Sequence, residues 1–244
     1  MVQPLNIALI GYGKMGKTIE AIALQQGHLI ALKITSANLS DLNETNLQDC
    51  DVAIEFTNPA SAPGNIIACI DAGLPVICGT TGWSEREAEI KQYCLAKKGT
   101  LLYSSNFSIG VNIFFEINKK LAKLMADQPS YKLQIEEIHH TQKKDAPSGT
   151  AISLAQQILA ERRDKKKWAM GQVTDDDLEI KSKREDPAPG THHVIYSSAV
   201  DDIEIIHIAH NRTGFATGAL IAAAFIAGRK GIYTMGDVLK DDCS

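Results

Sequence analysis

The residues best suited to chemistry stand together at 135–159, IEEIHHTQKKDAPSGTAISLAQQIL. Two adjacent histidines, His139 and His140, precede Lys143 and Lys144, and Ser148-Gly149-Thr150 then opens an apolar, helix-patterned stretch. Imidazole titrates near neutrality and exchanges protons readily. Lys143 follows closely enough for a loop to return it to the same place. The free N–H groups and hydroxyls of a helix start can hold a carboxylate. A small dicarboxylate suits such a set, and a solvated basic loop is the plainer alternative. If the pair closes a strand, His139 and His140 point to opposite faces, so only one meets a cleft directly unless the chain turns there. Lys144 is assigned to solvent.

A second constellation is Gly11-Tyr12-Gly13-Lys14-Met15-Gly16, a G-x-G-x-x-G run between an apolar strand and a helix. Gly11 permits the tight turn, Gly13 lets backbone N–H groups approach a pyrophosphate, and Gly16 allows close helix–strand packing. The helix N-terminus adds its positive dipole end. A strictly NAD-binding chain carries an acid after the second strand, for the ribose 2′-hydroxyl. Here Thr35 and Ser36 stand in that place and the first carboxylate is Asp41. Without the acid a 2′-phosphate is not repelled, and Lys14 offers it positive charge. The expected cofactor is NADPH, with NADH second. Lys14 as an ordinary surface lysine is weighed equally.

These groups need a frame. LNIALIG, LIALKIT, DVAIEFT, LPVICGT and TLLYSSN are near-continuous apolar strands separated by helical patterns. That rhythm predicts a parallel sheet covered on both faces, an N-terminal Rossmann-type doubly wound α/β domain. Ligands bind outside the carboxyl ends of such strands. The turns there are Phe56-Thr57-Asn58-Pro59, Gly79-Thr80-Thr81-Gly82 and Ser104-Ser105-Asn106-Phe107-Ser108, small and hydroxyl-rich enough for a nicotinamide cleft. After Asn106 the character changes. NIFFEINKKLAKLMAD reads as an amphipathic helix. YKLQIEEIHH alternates, with Tyr131, Leu133 and Ile135 on one face, and LEIKSKRE, HHVIYSSA and DIEIIHIAHN alternate likewise. The expected second domain is α+β with a mixed or antiparallel sheet. The helix over 151–164 is expected to end in a solvated basic run, ERRDKKK. The expected limits are 1–106 for the dinucleotide domain, completed by a C-terminal helix over 214–244, and 107–213 for an inserted substrate-binding and oligomerisation domain.

Glu137-Ile138-His139-His140-Thr141-Gln142-Lys143-Lys144-Asp145-Ala146-Pro147-Ser148-Gly149-Thr150-Ala151 closely resembles the E-x-H-H-x-x-K-x-D-A-P-S-G-T-A signature of the 4-hydroxy-tetrahydrodipicolinate (dihydrodipicolinate) reductase family. The glycine loop, the F-T-x-P and G-T-T-G turns and the N-F-S-x-G run follow the family's order, so the resemblance spans nearly the whole chain. It implies reduction of a cyclic imino dicarboxylate with NAD(P)H in the diaminopimelate and lysine pathway. It implies His139 as acid/base, Lys143 as proton donor, and His140 with Ser148, Gly149, Thr150 and Thr81 at the substrate. It implies nicotinamide and ribose contacts from Gly79, Thr80 and Thr81 and from Ser104, Ser105, Asn106 and Phe107. Gly11 to Gly16, Ser36, Phe56 and Thr57 complete the expected cofactor set, and a homotetramer built through the C-terminal domains is implied as well. The chain departs from the family at Thr35-Ser36, where many members carry an acidic–basic pair. Its connections before DVAIEFT and around PGTHHVIYSS are compact.

The bulk numbers narrow the classes. The 244 residues are 44% hydrophobic and 22% charged with a formal charge of −4, ordinary for a globular protein and unlike a nucleic-acid binder. Cys50, Cys69, Cys78, Cys94 and Cys243 are odd in number, make no C-x-x-C pair and read as free thiols of a reducing compartment. The N-terminus lacks the pattern of a signal peptide and no apolar run reaches membrane-spanning length, so a soluble cytoplasmic protein with no metal centre is expected. Two other readings compete. Another amino-acid-pathway dehydrogenase of Rossmann type does not require the H-H-x-x-K run, and a non-catalytic NADP sensor has no need of clustered His and Lys at a helix start.

Overall fold

The computed structural model describes residues 3–211 and 213–241, which fall into two compact units divided after Ile109 and before Thr213. Cys243 lies outside the described residues.

The first unit is a six-stranded parallel sheet. Its first five strands are β1 (Asn6–Ile10), β2 (Leu29–Ile34), β3 (Val52–Glu55), β4 (Val76–Cys78) and β5 (Thr100–Tyr103). The connections hold α1 (Lys14–Gln25), a short α2 (Glu44–Leu47), α3 (Ala62–Asp71) and α4 (Glu87–Ala96). Strand β1 shows why the apolar runs are unbroken. Ile7 and Leu9 pack with Ile19 and Ala23 of α1, while Ala8 and Ile10 pack on the other face with Ile66 and Cys69 of α3. A period of two then buries every residue, as a sheet covered on both sides requires. The strand order places β2 outside β1 and β3 to β5 on its other side, so the chain reverses direction across the sheet at β1/β3. That reversal is where doubly wound sheets open a crevice.

The second unit holds most of α5 (Ile109–Leu124), then β6 (Lys132–His139), α6 (Gly149–Leu159), β7 (Lys167–Ala169), β8 (Asp177–Arg184), β9 (Thr191–Ser197) and β10 (Asp202–Ile208). Its sheet is mixed, in the order β10-β9-β6-β8-β7, with β6–β8 and β7–β8 parallel and β6–β9 and β9–β10 antiparallel. Leu133 and Ile135 of β6, with Val194 and Tyr196 of β9, bury against Phe114 of α5 and Leu154 and Ile158 of α6. Among the described residues no helix is long and apolar enough to cross a membrane.

Two expectations are corrected. The single C-terminal helix over 214–244 is instead α7 (Thr213–Ile226), the edge strand β11 (Gly231–Tyr233) and α8 (Met235–Asp241). Gly228 adopts φ +76 just after α7, a left-handed conformation that ends helices, and β11 then pairs in parallel with β5. The packing of α7 needs its small residues: a Cβ at Gly218 would stand 1.8 Å from the Phe107 carbonyl oxygen. The basic run after α6 is likewise no solvated helix end. The helix stops at Leu159, Arg162 is 1% exposed with its Nε and Nη2 each 2.7 Å from an Asp164 oxygen, and Lys167 begins β7. Paired with Asp164, and with an Nη1 bond to the Met125 carbonyl, that guanidinium can be buried where the run's composition suggested solvent.

Candidate active site

In the first unit the glycine turn joins β1 to α1. The Gly11 N–H donates to the Ile34 carbonyl at 2.9 Å, and Gly11 takes φ +96. A Cβ there would come 2.0 Å from the Phe56 carbonyl oxygen, and one at Gly16 would come 2.3 Å from that of Gly11. At Gly13 it would enter open space. Gly13 is also the N-cap of α1 and has no side chain to occupy the helix's first N–H groups. This is the arrangement a pyrophosphate needs: backbone donors without a competing cap, and room above them. A cleft of about 400 Å³ runs along Gly11, Tyr12, Gly13, Thr35, Ser36, Phe56 and Thr57. Lys14 and Met15 lie on the first turn of α1 and are not among its lining residues.

The strand-end turns are knit beneath this cleft. The Thr57 N–H donates to Thr80 Oγ1 at 2.7 Å, and Trp83 Nε1 donates to the Thr80 carbonyl at 2.6 Å. Phe56 packs on Phe107 with ring centroids 5.8 Å apart, and Gly79 leaves room for the Phe56 ring, which a Cβ would meet at 2.1 Å. Ser104 Oγ donates to the Asn106 carbonyl at 2.7 Å. Thr81 and Ser105 are exposed, whereas Phe107 belongs to the core. The buried carboxylate of Glu55, which composition alone did not single out, accepts from the Thr57 hydroxyl, from Asn65 Nδ2 at 3.3 Å and from Cys78 Sγ at 3.0 Å. It ties the ends of β3 and β4 to helix α3. Above the turn, Lys33 pairs with Glu20 at 3.0 Å and stands 5.0 Å from the centre of the Tyr12 ring, a cation closer to that ring than Lys17.

In the second unit the covered face of β6 begins as core and ends as chemistry. Leu133, Ile135, Glu137 and His139 share that face, so the alternation that buries two aliphatics also buries a carboxylate and an imidazole. Register supplies the rest. Glu137 lies opposite His192 of β9 and Ser182 of β8, and His139 lies opposite Arg184. Ser182 Oγ donates to Glu137 Oε1 at 2.7 Å, and both terminal nitrogens of Arg184 reach the same oxygen at 3.3 Å. The other oxygen, Oε2, stands 3.0 Å from His139 Nδ1 and 4.0 Å from His192 Nε2. The two imidazoles meet edge to face, centroids 5.2 Å apart. Burial pushes the Glu137 carboxyl up, but its bonding partners, His139 first among them, more than reverse this and hold it below the usual carboxylate range. Burial, with His139 alongside, pushes His192 down to about 3, so it is neutral at ordinary pH. Donor atoms of Glu137, His139 and His192 lie within 4.8 Å of one another, a spacing a cation would accept, but the Arg184 charge on the same carboxylate opposes one.

Arg184 also holds the lysine loop. Its Nε donates to the Lys143 carbonyl at 3.3 Å and its Nη2 to the Asp145 carbonyl at 2.6 Å. The Lys143 N–H bonds the His140 carbonyl at 3.1 Å, which turns the chain, and Lys143 Nζ sits 2.8 and 2.7 Å from the two Asp145 oxygens. His140, just past the end of β6, lines a groove with Gln142, Asp186 and Asn211. Gly149 and Thr150 form the first turn of α6 with Ser148 as its cap. The buried Ser148 hydroxyl accepts from the Ala151 N–H at 3.2 Å and lies 3.1 Å from His192 Nε2. It is therefore engaged within the protein, where the expectation was a direct carboxylate contact.

His192, Ser182 and Arg184 escaped the sequence reading because register, not spacing, brings them to Glu137. Glu137 itself had a legible signal: two positions before His139 on a strand, it must share that residue's face.

Models of the dihydrodipicolinate reductase N-terminus and C-terminus match residues 5–107 and 110–239. The chain belongs to the dihydrodipicolinate reductase family. A 4-hydroxy-tetrahydrodipicolinate reductase of Christiangramia forsetii is 47% identical over 239 residues, 97% of this chain and 98% of that protein. One from Methanosarcina mazei is 36% identical over 241 residues, 96% of this chain and 88% of that protein. A solved dipicolinate-bound dihydrodipicolinate reductase of Paenisporosarcina shares the fold at TM-score 0.77 and 22% identity, over 95% of this chain and 98% of that one. The Thr35-Ser36 turn after β2 is held locally. Asn38 Oδ1 accepts from both the N–H and the hydroxyl of Thr35 at 2.8 Å, and its amide donates to Asp41 at 3.0 Å. The first carboxylate after β2 is thus tied to Asn38.

Proposed function

We propose that this chain reduces 4-hydroxy-tetrahydrodipicolinate (dihydrodipicolinate) to tetrahydrodipicolinate in the diaminopimelate and lysine pathway, using NADPH ahead of NADH. The observation that carries this reading is the 137–150 segment, in which a buried histidine–carboxylate pair, a lysine and the Ser148-capped start of α6 lie in one stretch braced by Arg184. The glycine turn supports a dinucleotide in the first unit, and the second unit serves as the substrate and oligomerisation domain. Free Cys50, Cys69, Cys78 and Cys94 agree with a reducing, cytoplasmic setting.

After the 4-hydroxyl leaves as water to give the conjugated dihydro imine, the cofactor, when bound, would supply hydride to the carbon conjugated with the imine. The chain's own groups manage charge and protons. Lys143 gives a proton to the resulting enamine, and His139 exchanges protons and stabilises the negative charge as it develops. His140 and the first N–H groups of α6, at Gly149 and Thr150, take the substrate carboxylates. Ser148 acts indirectly, through the cap and His192. The reading extends to a homotetramer, because the uncovered face of the second sheet carries Ile206 at 49% and Ile208 at 55% exposure.

The test is consumption of NADPH by the purified chain, with and without freshly made product of dihydrodipicolinate synthase, repeated with NADH at matched concentration. Turnover only with that product, faster with NADPH, is expected. Dinucleotide binding without turnover would overturn the assignment.

A further inference from the structure

We propose that Glu137 is a positioning residue that selects the tautomer of His139, holding the ring proton on Nδ1 and leaving Nε2 as the atom that exchanges protons with substrate. This rests on the role given to His139 above.

Three independent features converge on it. First, the carboxylate is held from behind. Ser182 and Arg184, both on β8, take up Oε1 and fix the plane of the group, so Oε2 has one direction to point. Second, Oε2 and His139 Nδ1 are 3.0 Å apart and both are buried; neither makes an aligned hydrogen bond, to each other or to another group, and the Ser148 hydroxyl is the other donor near this carboxylate. A proton on Nδ1 sets a donor beside the carboxylate, whereas a lone pair there would leave two buried acceptors against each other. His192 does not compete for it, since its Nε2 is 4.0 Å from Oε2 and stands 3.1 Å from the Ser148 hydroxyl. Third, the opposite edge of the His139 ring is bordered by Gly190, which has no side chain to crowd it. A Cβ at Gly190 would stand 3.1 Å from His139 Nε2 and 3.3 Å from Cδ2. Nδ1 thus faces a carboxylate and Nε2 a position without a side chain, an asymmetry that suits a proton-exchanging imidazole. The remaining charged groups of the cluster are already committed: Arg184 to Glu137 and the loop carbonyls, Lys143 to Asp145.

The test uses Glu137→Gln and Glu137→Asp in the full-length chain. Long-range proton–nitrogen spectra of the histidine rings, with His139 assigned by loss of its signals in His139→Gln, report which nitrogen carries the proton. In the wild type the proton is expected on Nδ1. In Glu137→Gln the ring is expected to populate both tautomers, with kcat lowered about tenfold or more and both KM values within about threefold. Glu137→Asp, which keeps the charge on a shorter arm, recovers part of both. A wild-type His139 protonated on Nε2 overturns the proposal even if Glu137→Gln fails to fold. So does a Glu137→Gln enzyme with an unchanged tautomer and kcat within twofold of wild type. If the wild type turns nothing over, the assigned reaction fails, and the ring spectra still decide the role of Glu137.

Discussion

Lys143 meets a carboxylate as its nearest partner, Asp145, two residues on in the same loop. The ion pair draws the Asp145 carboxyl below its usual range. A partly screened pair of this kind orients an ammonium without locking it, and the carboxylate can yield to an anionic substrate. Lys143→Ala is expected to lower kcat by about a hundredfold or more while KM moves far less, because a proton donor acts in the transition state. Steady-state kinetics at saturating NADPH decide the matter: a raised KM with kcat unchanged would make the lysine a binding group only.

Strand β10 forms an edge of the second sheet with its two sides treated differently. Ile205 packs towards the core and His207 rests 5.9 Å from the Phe114 ring, while Ile206 and Ile208 face outward. Ile138 of β6 and Ile195 of β9, half-buried, lie on the same outward face among polar residues such as Glu136 and His193. Exposed isoleucines rimmed by polar residues are commonly covered by a partner, and a second copy of the chain is the covering proposed above. Sedimentation velocity is expected to give a tetramer for the wild type and smaller species for Ile206→Asp, whose helical and strand signals in circular dichroism stay unchanged. A monomeric wild type would remove the oligomer from the reading.

At the scale of the whole molecule, the buried cluster couples folding to acid. His192 is held neutral in the fold down to about 3, whereas an exposed histidine protonates near 6.5. The unfolded chain therefore binds more protons between those values, and stability present above about pH 6.5 is lost as pH falls. Glu137, with its folded value depressed, adds a loss of the same sign below its ordinary value of 4.5. His192 alone predicts a fall of about 3 kcal/mol between pH 7 and pH 4. Urea unfolding at pH 7, 5.5 and 4 measures it, and His192→Asn is expected to flatten the curve. Equal slopes for the two proteins would show that the acid sensitivity arises elsewhere.

The sequence by itself determined what short-range pattern can encode. Apolar runs in β1 to β5 specified strands buried on both faces, the spacing of Gly11, Gly13 and Gly16 specified a turn under a helix start, and the 137–151 signature marked the reactive segment. Alternation along β6 even put Glu137 on the face of His139. What it could not carry was register between strands distant in the chain. Ser182, Arg184 and His192 reach Glu137 only because β8 and β9 pair with β6 in one alignment, and a shift of one residue would turn them to the other face. The tertiary structure likewise made Arg162 a core residue and broke the C-terminal apolar run at Gly228, since burial and sheet pairing are settled by partners far along the chain. Local sequence chose the reactive groups, and long-range packing chose which of their atoms face each other.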